Sequence, residues 1–200
     1  MELEYLLEFG NNMYFFFLAY TILGAGLKFI DDAFDEKIFN KKIAIILGPF
    51  FGIFGAYTML VNPVSATILL AVVLGVLLKG KIDNIAHLIT FFSFFMIFIL
   101  INIVNIMILP LIFLAAAAIL DEVGNDVIDY NKSFKKKKRF KYQFAIYFFG
   151  RRYMMKVALL YLVILNVIPI YFLIAFILFD ESYIIVSLYS KSRKTVASKA

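Results

Sequence analysis

The sequence predicts an all-α fold, a polytopic membrane helix bundle of about seven transmembrane helices forming a single integral-membrane domain over residues 1–200. Three observations predict it. First, 64% of the residues are hydrophobic and only 17% charged, where globular chains run about 45–50% apolar and about 25% charged. One soluble core of this length cannot hide so much apolar surface, so lipid must cover the rest. Second, charged or Asn/Pro punctuation cuts the chain into apolar runs of membrane-spanning length. Third, the basic residues fall on one side of the resulting topology.

Taken in order, the first span covers residues 13–30 and ends at Asp31-Asp32. Spans 43–61 and 64–78 are separated only by Asn62-Pro63, a turn signal. The run from Ile85 to Leu120 is too long for one crossing at about 1.5 Å per residue. Asn102 and Asn105 divide it into spans 86–101 and 104–120, the second kinked at Pro110. A polar stretch from Asp121 to about Lys141 follows. The last apolar block divides at Asn166 and Pro169 into spans 154–168 and 169–189, the sixth being short. Glu2, Glu4 and Glu8 stand where a signal peptide carries positive charge, so none is expected.

With the N-terminus outside the cell membrane, all 20 Lys and Arg fall in segments on the inner side, and the turns at Asn62-Pro63, Asn102 and Asn166 carry no charge. A six-span topology puts Lys191, Arg193, Lys194 and Lys199 outside and is rejected. The C-terminus and the acidic clusters are then cytoplasmic. The net charge of +6 suits anionic lipid head groups and needs no nucleic acid. No Cys and a single His exclude disulfides, thiolate chemistry and multi-His metal sites. Carboxylate and Lys/Arg chemistry remain.

Two acidic clusters stand out. Asp31, Asp32, Asp35 and Glu36 end the first span, and Asp121, Glu122, Asp126 and Asp129 end the fifth. If each helix continues, Asp32, Asp35 and Glu36 share one face, as do Glu122, Asp126 and Asp129. Facing carboxylates need a cation between them. Hard oxygen ligands suit Mg²⁺, and the lysines that follow, Lys37, Lys41, Lys42, Lys132 and Lys135–Lys138, suit diphosphate oxygens. The plain alternative is a solvated helix end with its acids paired to neighbouring lysines. Lys135–Arg139 reads more readily as an inner-leaflet anchor than a substrate clamp. His87 reads as an interfacial residue, and Gly24, Gly26, Gly48, Gly52 and Gly55 as sites of close helix packing.

In these residues the chain resembles the UbiA superfamily of intramembrane prenyltransferases. Asp31-Asp32-Ala33-Phe34-Asp35 is similar to that family's first Asp-rich motif, and Asn125-Asp126-Val127-Ile128-Asp129 to its second. Phe148-Phe149-Gly150-Arg151-Arg152 is similar to the element opening the following helix, and Ser192–Lys199 to a later basic stretch. The departures are specific. Asp31 stands where Asn is usual, Phe39 replaces a later Asp, Asn40-Lys41-Lys42 replaces an Arg-Pro signature, and Lys132 and Ser133 stand near a missing final Asp.

The resemblance implies Mg²⁺-dependent transfer of a prenyl group from a polyprenyl diphosphate to a membrane-soluble lipid or aromatic acceptor. It implies Asp32, Asp35, Asp126 and Asp129 as catalytic residues and Asp31, Asp32, Asp35, Glu36, Glu122, Asp126 and Asp129 as the metal ligand set. Lys41, Lys42, Arg151 and Arg152 are the implied substrate-binding residues. Two other readings stay open: a membrane transporter built on Asp180 and Glu181, placed near mid-membrane, and a catalytically inactive UbiA-like protein that binds lipid.

Overall fold

The computed structural model describes residues 11–78, 84–101, 105–130 and 140–197, excepting the side chains of 98–101, 129, 130, 141, 196 and 197. Among the described residues there are eight helices and no strand: α1 (Met13–Phe34), α2 (Lys41–Val61), α3 (Pro63–Leu78), α4 (Ile85–Ile101), α5 (Ile108–Tyr130), α6 (Phe140–Gly150), α7 (Tyr153–Ile164) and α8 (Ile170–Ala197). Four are long and apolar enough to cross a membrane: α1, α2, α5 over Ile108–Ile128 and α8 over Ile170–Thr195. Pro63–Leu78, Ile85–Ile97 and α7 are shorter apolar helices.

Asparagines start half of these helices. The side chains of Asn12, Asn40, Asn62 and Asn84 accept from the N–H of Tyr14, Lys42, Val64 and His87 at 2.9–3.0 Å. Each satisfies a donor that the first helical turn leaves unpaired. Pro63 opens α3, where its missing N–H costs nothing. Asn166 turns the chain between α7 and α8 with φ 55°, a conformation that Asn tolerates better than most residues.

The boundaries that differ most in character from the sequence expectation lie in the second half of the chain. The span expected at 104–120 is a helix that begins at Ile108 and runs through the acidic cluster to Tyr130. Pro110 lies in its first turn and therefore breaks no helical hydrogen bond. The stretch before the sixth span holds a separate helix, α6. The chain then breaks at Arg151-Arg152, with Arg152 left-handed at φ 50°, before α7 begins. At about 1.5 Å per residue, the 12 residues of α7 reach about 18 Å, and the 28 of α8 about 42 Å.

Helices α1, α2, α3, α5, α7 and α8 pack in that order into a ring that closes where α8 meets α1, the most extensive pairing of all. Helix α4 lies against α2, and α6 against α5. Close approach needs small residues. A Cβ on Gly24 would strike the Phe179 carbonyl of α8, and one on Gly52 the Thr90 carbonyl of α4. One end of the ring is a dry core of Phe16, Tyr20, Met59, Ile68, Leu114, Leu159 and Phe172. The outside is apolar: Leu109 is 80% exposed, Ile46 73% and Phe92 70%. A soluble monomer does not carry such a belt.

Candidate functional site

At the other end the ring encloses a cavity of about 800 Å³, within the range that holds a single small ligand. Its walls differ. Helices α2, α3 and α4 contribute mainly apolar groups, including Phe51, Gly55, Leu69, Val72, Val73 and Phe94. The opposite wall carries Lys28, Asp31 and Asp35 from the end of α1, Glu122 and Asn125 from α5, and Arg151 and Arg152 from the α6–α7 break. Asp180, Tyr183 and Lys191 of α8 complete it, and His87 joins from the start of α4.

The charges in and behind this wall form ion pairs. Lys28 Nζ donates to Asp31 Oδ2 at 2.6 Å and lies 2.9 Å from Asp32 Oδ1. Asp31 also accepts from the Tyr183 hydroxyl at 3.3 Å and faces His87 Nε2 at 3.6 Å. Arg152 meets Glu122 at 3.1 Å and lies over the Tyr183 ring, 4.8 Å from its centroid, and Lys28 Nζ lies 5.1 Å from the same centroid. The Tyr183 ring thus has two cations within reach of its π face, a favourable contact. Deeper in, Lys156 bonds Asp180, with side chains 9% and 3% exposed, and donates a second bond to the Arg151 carbonyl at 3.0 Å. Asp121 accepts from the N–H groups of Met154 and Met155 at 3.0 and 2.8 Å, capping the start of α7. Arg151 lies 3.6 Å from Glu181 on the wetter side.

The expected site residues divide. Asp31, Asp35, Glu122, Arg151 and Arg152 meet at the cavity although the sequence separates the two acidic clusters by about 90 positions. Asp32 does not line it. Asp32 is 1% exposed, and its Oδ2 has no hydrogen-bond partner. The shared face expected for Asp32, Asp35 and Glu36 does not form, because α1 ends at Phe34 and Asp35 is its cap. Glu36 instead pairs with Lys194 at 2.6 Å, and this bond holds its carboxyl below the usual range. Lys41 and Lys42 are exposed on the first turn of α2 and are not part of the cavity lining; Lys41 lies over the Phe34 ring at 5.1 Å. Asp126 lies outside the lining and Asn125 within it. The Asp129 side chain and residues 131–139, with Lys132 and Lys135–Arg139, lie outside the described residues.

The described side chains do not fit a resident Mg²⁺. No group of three carboxylate or histidine side chains gathers among them. The oxygens of Asp31 and Glu122 facing the cavity are already matched by Lys28, Tyr183, His87 and Arg152.

Lys28, Lys156 and Tyr183 were not anticipated, and His87 was placed at the interface. Lys28 was open to discovery, since it precedes Asp31 and Asp32 by three and four residues, one helical turn. The Lys156–Asp180 pair had no comparable signal. No protein-family model, curated protein or solved structure matches this chain.

Proposed function

We propose that this is a multi-pass membrane protein that binds a polyprenyl diphosphate in the cavity and transfers its prenyl group to a lipid or aromatic acceptor. One observation carries this reading: residues of both acidic motifs and of the Arg151-Arg152 element line one cavity whose opposite wall is apolar. A diphosphate ester with a hydrocarbon tail has the same division of character. Arg151, Arg152 and Lys28 are the cations nearest to hand for the diphosphate, with guanidinium N–H groups suited to its oxygens.

The orientation argued from the basic residues puts the polar end of the cavity toward the cytoplasmic leaflet, where phosphorylated head groups lie, and its apolar end toward mid-membrane. In this arrangement the chain's own cations stabilise the leaving diphosphate, and transient positive charge on the prenyl carbon faces aromatic rings such as Phe51 and Phe94.

A second reading, lipid binding without turnover, is favoured by the internal pairing of Asp31, Glu122 and Asp180. The test is diphosphate release by purified protein given labelled farnesyl diphosphate and a crude lipid and quinone-precursor extract, with Mg²⁺ or EDTA. Release lost in Arg152→Gln supports transfer. Saturable binding without release supports the second reading. Neither binding nor release would overturn both and favour a transporter built on Asp180 and Glu181, with flux across proteoliposomes lost in Asp180→Asn.

A further inference from the structure

Gly55 is the one glycine of α2 lining the cavity whose presence helix packing leaves unexplained. Gly52, three residues earlier, has no room for a side chain because the Thr90 carbonyl stands against it. A Cβ on Gly55 would meet only Leu23 Cδ2 at 3.6 Å and the Phe94 ring at 3.7 Å, both ordinary contacts. A helical glycine costs about 1 kcal/mol relative to alanine, so a glycine without a packing reason calls for another one. Here the space it leaves belongs to the cavity.

That space is the blind end of the apolar wall. Leu23 and the Phe94 ring stand nearest to it, and Leu69 and Phe179 also line the cavity. One turn further, Tyr20 on α1 and Met59 on α2 are 0% and 1% exposed, and the Tyr20 and Phe179 rings lie 6.4 Å apart. The cavity therefore ends in packed core. From Asp31 at the charged end to Leu23 at this floor is eight residues of α1, about 12 Å. An extended isoprene unit advances four bonds of about 1.5 Å in zigzag, about 5 Å. The depth holds two to three units.

We infer that Gly55 forms the floor of a tail pocket and that the cavity holds the first 10 to 15 carbons of a prenyl diphosphate's tail. The inference rests on the prenyl-diphosphate reading above and adds the reach of the pocket to it. A longer tail has to leave the pocket, and its further units gain nothing from the protein.

The test measures binding of geranyl, farnesyl and geranylgeranyl diphosphate (C10, C15 and C20) to the full chain in nanodiscs of zwitterionic lipid. Wild type, Gly55→Ala and Gly55→Leu are compared. The expected result is an affinity that rises from C10 to C15 and is flat from C15 to C20. Gly55→Leu should weaken C15 about tenfold through lost apolar burial while leaving C10 unchanged, with Gly55→Ala between. Gly55→Ala adds only a methyl at contact distance, so it carries the test should the leucine variant not fold. An affinity that keeps rising to C20, or indifference of all three ligands to both substitutions, would overturn the inference and leave the prenyl-diphosphate reading standing. Absence of saturable binding by every ligand would overturn both.

Discussion

The two acidic clusters look alike in the sequence and do different work in the fold. Asp31 and Asp32 are neutralised within their own helix, by Lys28 one turn earlier, with His87 and Tyr183 adding to Asp31 from α4 and α8. Asp121 and Glu122 reach across to another element: one caps the start of α7, the other holds Arg152 at the break just before it. The first cluster finishes a helix. The second fixes an interruption in one, and Lys156 and Asp180 fasten the same interruption to α8. A broken helix inside an apolar bundle exposes unpaired backbone groups, so its surroundings must supply partners. The two segments are alike in sequence, yet α1 ends at its cluster while α5 runs through its own to Tyr130, and their long-range partners differ.

The contrast predicts an order of effects. The largest belongs to the break. Lys156→Met leaves Asp180 buried without its cation and should destabilise the detergent-solubilised protein by about 3–5 kcal/mol in equilibrium unfolding. Lys156→Met combined with Asp180→Leu should recover most of that loss, since it removes the stranded charge. Next, Asp121→Ala orphans two N–H groups at the start of α7 and should cost about 2–3 kcal/mol by the same measurement. The local cluster should be milder. Lys28→Met alone strands Asp32, which is as buried as Asp180, so the local cluster is read from Lys28→Met combined with Asp32→Asn, which should cost about 1.5 kcal/mol because Asp31 keeps Tyr183 and His87. If Lys28→Met with Asp32→Asn proves as damaging as Lys156→Met, the distinction between the clusters fails.

The smallest effect belongs to Glu36. Its carboxyl is held low by Lys194, so the folded state binds a proton less readily than the unfolded chain does. The pair's contribution is present above the ordinary carboxylate range and disappears as pH falls through the depressed value. The pair is exposed, so the contribution is slight. Glu36→Gln should flatten the acid limb of the unfolding profile a little and leave the neutral plateau nearly unchanged.

Much of the fold was legible because the apolar runs are punctuated by residues with a mechanism. Asn62-Pro63 and Asn166–Pro169 turn the chain where expected, and Asn12, Asn40 and Asn84 cap helices at the edges of apolar runs. The break at Arg151-Arg152 was visible only as a short span, because nothing local distinguishes a left-handed arginine from a helical one. The site was half legible. Carboxylate spacing drew attention to Asp31, Asp35 and Glu122, yet it ranked Asp32 and Asp126 with them, and neither lines the cavity. Helices that are apolar on nearly all sides give no periodic signal of which face turns inward. For the same reason the pairing of Lys156 with Asp180, 24 residues apart on separate helices, was out of reach.

The central claim is that the charged wall receives a diphosphate through the arginines at the break. The most direct test is a binding isotherm for farnesyl diphosphate on the full chain in zwitterionic nanodiscs, wild type against Arg151→Gln, with inorganic diphosphate as competitor and EDTA present. The expected result is saturable binding that survives EDTA, is displaced by inorganic diphosphate and weakens about tenfold in Arg151→Gln, the loss of one charge-assisted contact. Binding that disappears with EDTA, or that ignores both the competitor and the substitution, would contradict it.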